Sequence, residues 1–179
     1  MIRDKRMKYL KEEEGIDFYL FSPSVFRLYY DSRKDDAPHR HYLSHLLHMF
    51  IYVLRGGYNI LYLAKNDEII SYIIFTKCDD RIIEGAESNS FYTIFLWTYE
   101  RYRGQGIGYK MADFMLHHFS KEYNAFYKTT AKHNSASIAL AEKAGFVRVS
   151  DAKKVGHLHR VVPSDNGDLY LYCYKKSYE

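Results

Sequence analysis

Three glycines stand at alternate positions in Gly104-Gln105-Gly106-Ile107-Gly108. Before them runs FYTIFLWT, an aromatic and β-branched stretch that reads as a buried strand. After them Ile107, Met111, Phe114, Met115 and Phe119 recur at helical spacing. A strand that ends in such a turn and restarts as a helix leaves several N–H groups unpaired beside the positive end of the helix dipole. Glycine exposes those amides and adopts positive φ without steric cost, so the chain can wrap a phosphate. No Gly-Lys-Ser or Gly-Lys-Thr follows, which excludes a nucleoside-triphosphate loop of the Walker type. A Rossmann dinucleotide site fits poorly, because antiparallel strands come first and the next strand ends in TTAKHN, without the acidic residue that site uses. The turn predicts a different phosphate ligand.

The remaining pattern alternates short strands and helices. IDFYLF from Ile16 to Phe21 predicts a first strand, and Ser22-Pro23 predicts an N-cap and first position of a helix reaching about Arg33. HYLSHLLHMFIYVLRGG places Leu43, Leu46, Leu47, Phe50, Ile51 and Leu54 on one helical stripe that ends at glycine. NILYLAK and EIISYIIFTKC, joined by Asn66-Asp67, predict an antiparallel hairpin. AFYKTTA predicts a strand and SASIALAEKA a helix stopped by Gly145. FVRVS and DLYLYCYKK predict two closing strands, separated by a polar loop from about Asp151 to Asn166.

At 179 residues the chain predicts a single domain, 1–179. Its 19 tyrosines give an unusually amphipathic apolar fraction. A net charge of +4, with both signs interspersed, argues against a nucleic-acid footprint. The N-terminal stretch is broken by charge and predicts neither a secretory segment nor a membrane span, so a cytoplasmic protein is expected. Cys78 and Cys173 lie in β-like runs without ligand spacing and predict buried free thiols. His41, His45, His48, His157 and His159 lack carboxylate or cysteine partners at metal-ligand spacing, so no metal is expected.

Two segments carry a resemblance. RGQGIG, Arg103 to Gly108, resembles the phosphate-binding signature of the GNAT superfamily of acetyl-CoA-dependent N-acetyltransferases, and HNSASIALAEKAGFV from His133 resembles that family's second recurring segment. The order strand, two helices, three strands, helix, strand, helix, two strands also matches the family. The resemblance implies an α+β fold with a mixed, mostly antiparallel central sheet and helices on both faces. It implies that the amides of Gly104, Gln105, Gly106, Ile107, Gly108 and Tyr109 hold the coenzyme A pyrophosphate, with Arg103 opening the turn. It further implies that Leu96, Trp97 and Thr98 pair with the pantetheine arm and that Asn134 and Ser137 meet it, with Lys143 a weaker candidate.

The implied reaction is attack of a neutral amine on the thioester of acetyl-CoA, which needs a base, an N–H for the oxyanion and an acid for the departing sulfur. Backbone amides near Leu96 to Thr98 are expected to serve the oxyanion. Many family members use a tyrosine as the acid; the matching position here is Ala141. Where family members often place a carboxylate base, this chain has Tyr92, which parity puts on one strand face with Ile94, Leu96 and Thr98. Tyr92 is expected either to pack as an aromatic or to relay a proton through water to Glu84 or Glu87.

Arg33, Lys34, His39, Arg40, Lys153, Lys154, His157, His159 and Arg160 predict a basic surround for an anionic acceptor. A small amine metabolite is the expected acceptor. Protein acetylation and a non-catalytic coenzyme-A-binding module are the alternatives. Abundant surface aromatics and an exposed final strand make a homodimer plausible.

Overall fold

The computed structural model describes residues 7–28, 42–54, 57–156 and 159–175. These form nine strands and three helices: β1 (Met7–Glu13), β2 (Ile16–Phe21), α1 (Tyr42–Leu54), β3 (Asn59–Lys65), β4 (Glu68–Cys78), β5 (Ser90–Thr98), α2 (Ile107–Phe119), β6 (Ala125–Ala131), α3 (Ser135–Lys143), β7 (Val147–Val155), β8 (Arg160–Pro163) and β9 (Leu169–Lys175). The fold is α+β with a mixed sheet, as expected. Its contacts divide into two compact units, residues 1–76 with 95–111, and residues 77–94 with 112–179.

In the first unit β1, β2, β3 and β4 pair in chain order, each antiparallel to the next. Glu14 and Gly15 turn β1 into β2, and Asn66 and Asp67 turn β3 into β4, all four with positive φ, as two-residue hairpins require. Phe18, Phe21, Leu61, Tyr62, Ile70 and Phe75 fill the core of this unit with no more than 3% of their surface exposed. β1 escaped notice in the sequence because MKYLKEE buries almost nothing: its residues are half-buried or exposed. The helix expected from Ser22 does not begin. Instead Ser24 and Arg27 exchange backbone hydrogen bonds, at 3.0 and 2.9 Å, and close a tight turn; residues 29–33 lie outside the described residues. On α1 the expected apolar stripe is only partly inward. Leu47, Phe50 and Leu54 are exposed while Met49 is 1% exposed, and the side chains of Leu43 and Leu46 lie outside the description. Gly57 does end this region, with φ 85° and its N–H bonded to the Tyr52 carbonyl.

In the second unit the first residues of β5 pair in parallel with β6, Ser90–Thr93 against Ala125–Lys128. β6 pairs with β9, β9 with β7, and β7 with β8, all antiparallel. β9 is thus interior to the sheet, which removes the exposed final strand as a ground for dimerisation. The long loop expected from Asp151 is also corrected, since β7 runs on to Val155 and turns back as β8. Lysines and a histidine hide this hairpin in the sequence, but Ala152 and Val161 are fully buried and anchor it. The β8 side is joined by the 82–84 loop, where Val161 donates to the Ile82 carbonyl and its own carbonyl accepts from Glu84.

Cys78 and Cys173 are buried free thiols in one apolar cluster with Ile83, Tyr92, Tyr127 and Leu171. Burial pushes the Cys78 thiol up to about 12, so it stays protonated and inert.

Gly167 makes the close approach on which the β7–β9 connection depends. A Cβ there would stand 2.0 Å from the Ala152 carbonyl oxygen. Gly167→Ala is expected to cost at least about 2 kcal/mol, in the range of overpacking substitutions, seen as a lower urea midpoint with unchanged slope. Gly15→Ala, where a Cβ meets nothing within 4 Å, should cost only the smaller penalty of its positive φ.

Candidate cofactor turn and reaction residues

Between β5 and α2 the chain makes a short 3-10 turn, Glu100–Tyr102, and then the glycine turn. Gly104 and Gly106 have φ of 74° and 76°, and nothing stands within 4 Å of a Cβ built on either. Those left-handed residues aim consecutive amides outward. Among the described residues, none of the N–H groups of Gly104, Gln105, Gly106, Ile107 and Gly108 has a protein acceptor. The neighbouring bonds run instead from Arg103 N to Glu100 O and from Lys110 N to Gly106 O. The first turn of α2 carries no acidic side chain that could neutralise the dipole or occupy these donors.

The turn is held by its own side chains. Arg103 Nε donates to the Thr98 carbonyl at 3.0 Å, and its guanidinium lies 4.6 Å from the centre of the Trp97 ring. Gln105 Nε2 donates to the Arg101 carbonyl at 2.9 Å. Ser71 Oγ donates to the Trp97 carbonyl at 2.7 Å and lies 3.0 Å from Thr98 Oγ1. Trp97 and Thr98 therefore already use one carbonyl lone pair each. Trp97 Nε1 is buried without a hydrogen-bond partner among the described residues, an orphaned donor on the strand expected to meet the pantetheine arm. Unpaired amides around open glycines and a waiting indole donor fit a phosphate-bearing cofactor with a polar arm.

The second unit holds the other candidates. Asn134 caps α3 by accepting from the Ser137 amide at 3.0 Å, and its Nδ2 donates to nothing among the described residues. The Ser137 hydroxyl is drawn toward β6, 3.0 Å from Thr130 Oγ1. Ala141 is 1% exposed, so the position matched to the family tyrosine is a packed methyl. Tyr92 is buried, with its hydroxyl 2.8 Å from Thr129 Oγ1. Glu87 forms an ion pair with Lys175, and its amide donates to the Tyr127 hydroxyl at 3.3 Å. Glu84 lies 3.6 Å from Arg160. Each carboxylate considered for the relay is thus matched to a cation.

The basic surround is reduced by the same pairing. Arg160 bonds the Asp80 carboxylate at 2.7 Å and the Asp80 carbonyl at 2.8 Å, so its charge is largely compensated. Lys153 and Lys154 are consecutive on β7, where neighbouring side chains point to opposite faces. Arg33, Lys34, His39, Arg40, His41 and His157, and the side chains of His45 and His48, lie outside the described residues. Among the described residues no group of three or more His, Cys, Asp and Glu is placed to hold a metal, and no helix is long and apolar enough to cross a membrane.

One residue passed over in the sequence is Lys128, in the middle of β6. It is 8% exposed, and its Nζ lies 3.4 Å from both the Ser137 carbonyl and the Ser137 hydroxyl and 6.0 Å from the Phe146 ring centre. Burial lowers its amine to about 8. A lone charge inside an otherwise uncharged strand, AFYKTTA, was the available signal.

The acetyltransferase (GNAT) family model matches residues 22–146, and the chain belongs to that family. It is an acetyltransferase by family, and enzymes of the family use acetyl-CoA. No curated protein sequence matches the chain. Among solved structures it resembles the Salmonella typhimurium acetyl transferase that modifies the N-terminal serine of 50S ribosomal subunit protein L7/L12, at 14% identity over 95% of this chain and 100% of that one, with a TM-score of 0.61. It resembles the ribosomal-protein-S18-alanine N-acetyltransferase of Escherichia coli at 15% identity over 90% and 96%, with a TM-score of 0.59. RimL, a ribosomal L7/L12 α-N-protein acetyltransferase solved in complex with coenzyme A, matches at 14% identity over 96% and 100%, with a TM-score of 0.61. At such identities the likeness is one of fold.

The lowered Lys128 amine carries a stability signature. Its folded value of about 8 lies below its ordinary 10.5, so between those limits the unfolded chain holds the extra proton and stability rises with pH. Below about 8 the whole penalty, of order 3 kcal/mol from the shift, weighs on the fold. Lys128→Met should therefore raise Tm at pH 7, with an advantage that shrinks between pH 8 and 10.5. Thermal melts of both proteins across that range check it.

Proposed function

We propose that the protein is an N-acetyltransferase that moves the acetyl group of acetyl-CoA to a primary amine by direct attack, without a metal. The observation that carries this reading is the row of unpaired amides from Gly104 to Gly108, opened by two left-handed glycines. These amides and the α2 dipole hold the pyrophosphate, and Arg103 steadies the turn from Thr98 and Trp97. Leu96, Trp97 and Thr98 supply backbone groups to the pantetheine arm, and the Trp97 indole donates to it. Positioning of amine and thioester supplies most of the rate, because a thiolate is a good leaving group. Tyr92, linked to Thr129, guides the amine's proton outward through water toward Glu87.

For the acceptor we infer a small amine. Compensation of Arg160 by Asp80 weakens the argument that it is anionic. A peptide α-amine is the second reading, favoured by the exposed Leu47, Phe50 and Leu54, which lie at helical spacing on α1 and would suit a flexible apolar chain. Incubation with acetyl-CoA and panels of small amines and of short peptides, read by mass spectrometry of the acetylated product, decides between them.

The cofactor assignment has a simpler test. Saturating acetyl-CoA or coenzyme A is expected to raise Tm by several degrees, by mass action on the native state. Gly106→Glu should abolish that increment by placing a carboxylate where phosphate binds. Its own Tm will fall slightly, since a side chain at φ 76° is strained, so the ligand-dependent increment is the quantity to read. A retained increment would place the cofactor elsewhere.

A further inference from the structure

Two-residue hairpins need positive φ at both loop positions, where asparagine, aspartate and glycine are the usual residues. Asn66 and Asp67 follow that rule, and Glu14, at φ 54°, does not. Nothing in its own turn calls for it. Gly15 supplies the other position, and the side-chain bond that closes the turn comes from Glu12, whose Oε1 accepts from the Gly15 amide at 2.6 Å. The Glu14 carboxylate instead leaves the turn and pairs with Lys110 on α2, its one side-chain partner among the described residues. That reach is what glutamate offers and asparagine does not. A residue kept in a conformation it disfavours, for a contact far along the chain, points to a use beyond the turn.

Lys110 is placed beside the open amides. Its N–H bonds the Gly106 carbonyl, so it stands one helical turn beyond Gly106, and helix side chains lean toward the N-terminus, here toward the row Gly104–Gly108. Its side chain is 23% exposed against 77% for Glu14. The lysine stem is therefore packed, and the carboxylate is the member of the pair that solvent can take. The neighbouring Glu13 is held below its ordinary range chiefly by Lys11 and in smaller part by Lys110. On the other flank of the glycines Arg101 pairs with Glu68, which also accepts from the Tyr102 hydroxyl at 3.2 Å and so braces the 3-10 turn. Glu14 braces nothing comparable, and so exposed a pair adds little to stability.

We propose that Glu14 is a built-in competitor for cofactor phosphate: it holds Lys110 in the free protein, and a phosphate of coenzyme A displaces it and takes the ammonium. The inference rests on the acetyl-CoA reading above. The open amides and the α2 dipole offer only partial charges. A diphosphate on them gains most from a full cation close by, and the carboxylate that faces this cation must first give it up. Affinity is thereby held below what the turn could reach, which suits a cosubstrate that must leave once in every turnover.

Calorimetric titration with coenzyme A tests the exchange. At low salt, Glu14→Gln and Glu14→Asn should each bind about three- to fivefold tighter than the wild type, the scale of coupling between exposed charges. The gain should shrink at high salt. Lys110→Gln should weaken binding about fivefold or more, and Glu14→Gln added to it should give no further change, because the two act on one contact. Glu14 variants that bind no tighter than the wild type at low salt overturn the proposal. So does a gain that survives in Lys110→Gln, which would trace the effect of Glu14 to net charge alone. If the wild type binds coenzyme A, either failure belongs to Glu14 and Lys110; if it does not bind, the cofactor reading falls and the proposal with it.

Discussion

Parallel strands cannot be joined by a tight turn, so pairing Ser90–Thr93 with Ala125–Lys128 commits the chain to a long crossover between β5 and β6. That crossover must begin by turning a strand into a helix, and the turn must leave the first amides of α2 without intrahelical partners. Most proteins satisfy such amides with a capping side chain. Here Gly104 and Gly106 take left-handed conformations and leave the donors open, while Arg103 and Gln105 stabilise the turn from its rear through carbonyls of Thr98 and Arg101. The row of open donors is thus a consequence of topology, released by glycine where a capping residue would have consumed it.

The same parallel register places Lys128. Strand parity puts it on the face of Phe126 and Thr130, and the cross-strand partner Tyr172 and helix α3 then bury it. A leucine in that position would serve packing better. The cost is borne within a strand that carries no other charge, with Phe126 and Ala125 fully buried beside it. Stability given up at a buried charge is characteristic of sites where protonation matters.

Legibility in the sequence followed the strength of local signals. The β3–β4 hairpin was plain because Asn66 and Asp67 demand positive φ between two apolar runs, and α2 and α3 were plain from periodicity and from the Asn134 and Gly145 boundaries. β1 and the β7–β8 hairpin were not, because their stability lies in backbone pairing and in one or two inward residues, such as Ala152 and Val161, among charged ones. Ser22-Pro23 misled for the opposite reason. A good capping pair was present, yet Ser22 Oγ bonds Asn59 Oδ1 at 3.1 Å, and Ser24 and Arg27 close their own turn. Of the candidate site, the glycine turn could be read because glycine spacing is local. Tyr92–Thr129, Glu87–Lys175, Arg160–Asp80 and Lys128–Ser137 could not, since each joins residues brought together only by register.

The same pairings leave the charged groups of the second unit in two kinds of surroundings. Glu84 and Glu87 each face a cation, Arg160 and Lys175. Lys128 has no anionic partner among the described residues, and burial lowers its amine to about 8. The buried ammonium weighs on the fold, whereas the more exposed pairs add little to it. Tyr92 stands in the same unit with its hydroxyl tied to Thr129 and its ring packed against the apolar cluster around Cys78 and Leu171.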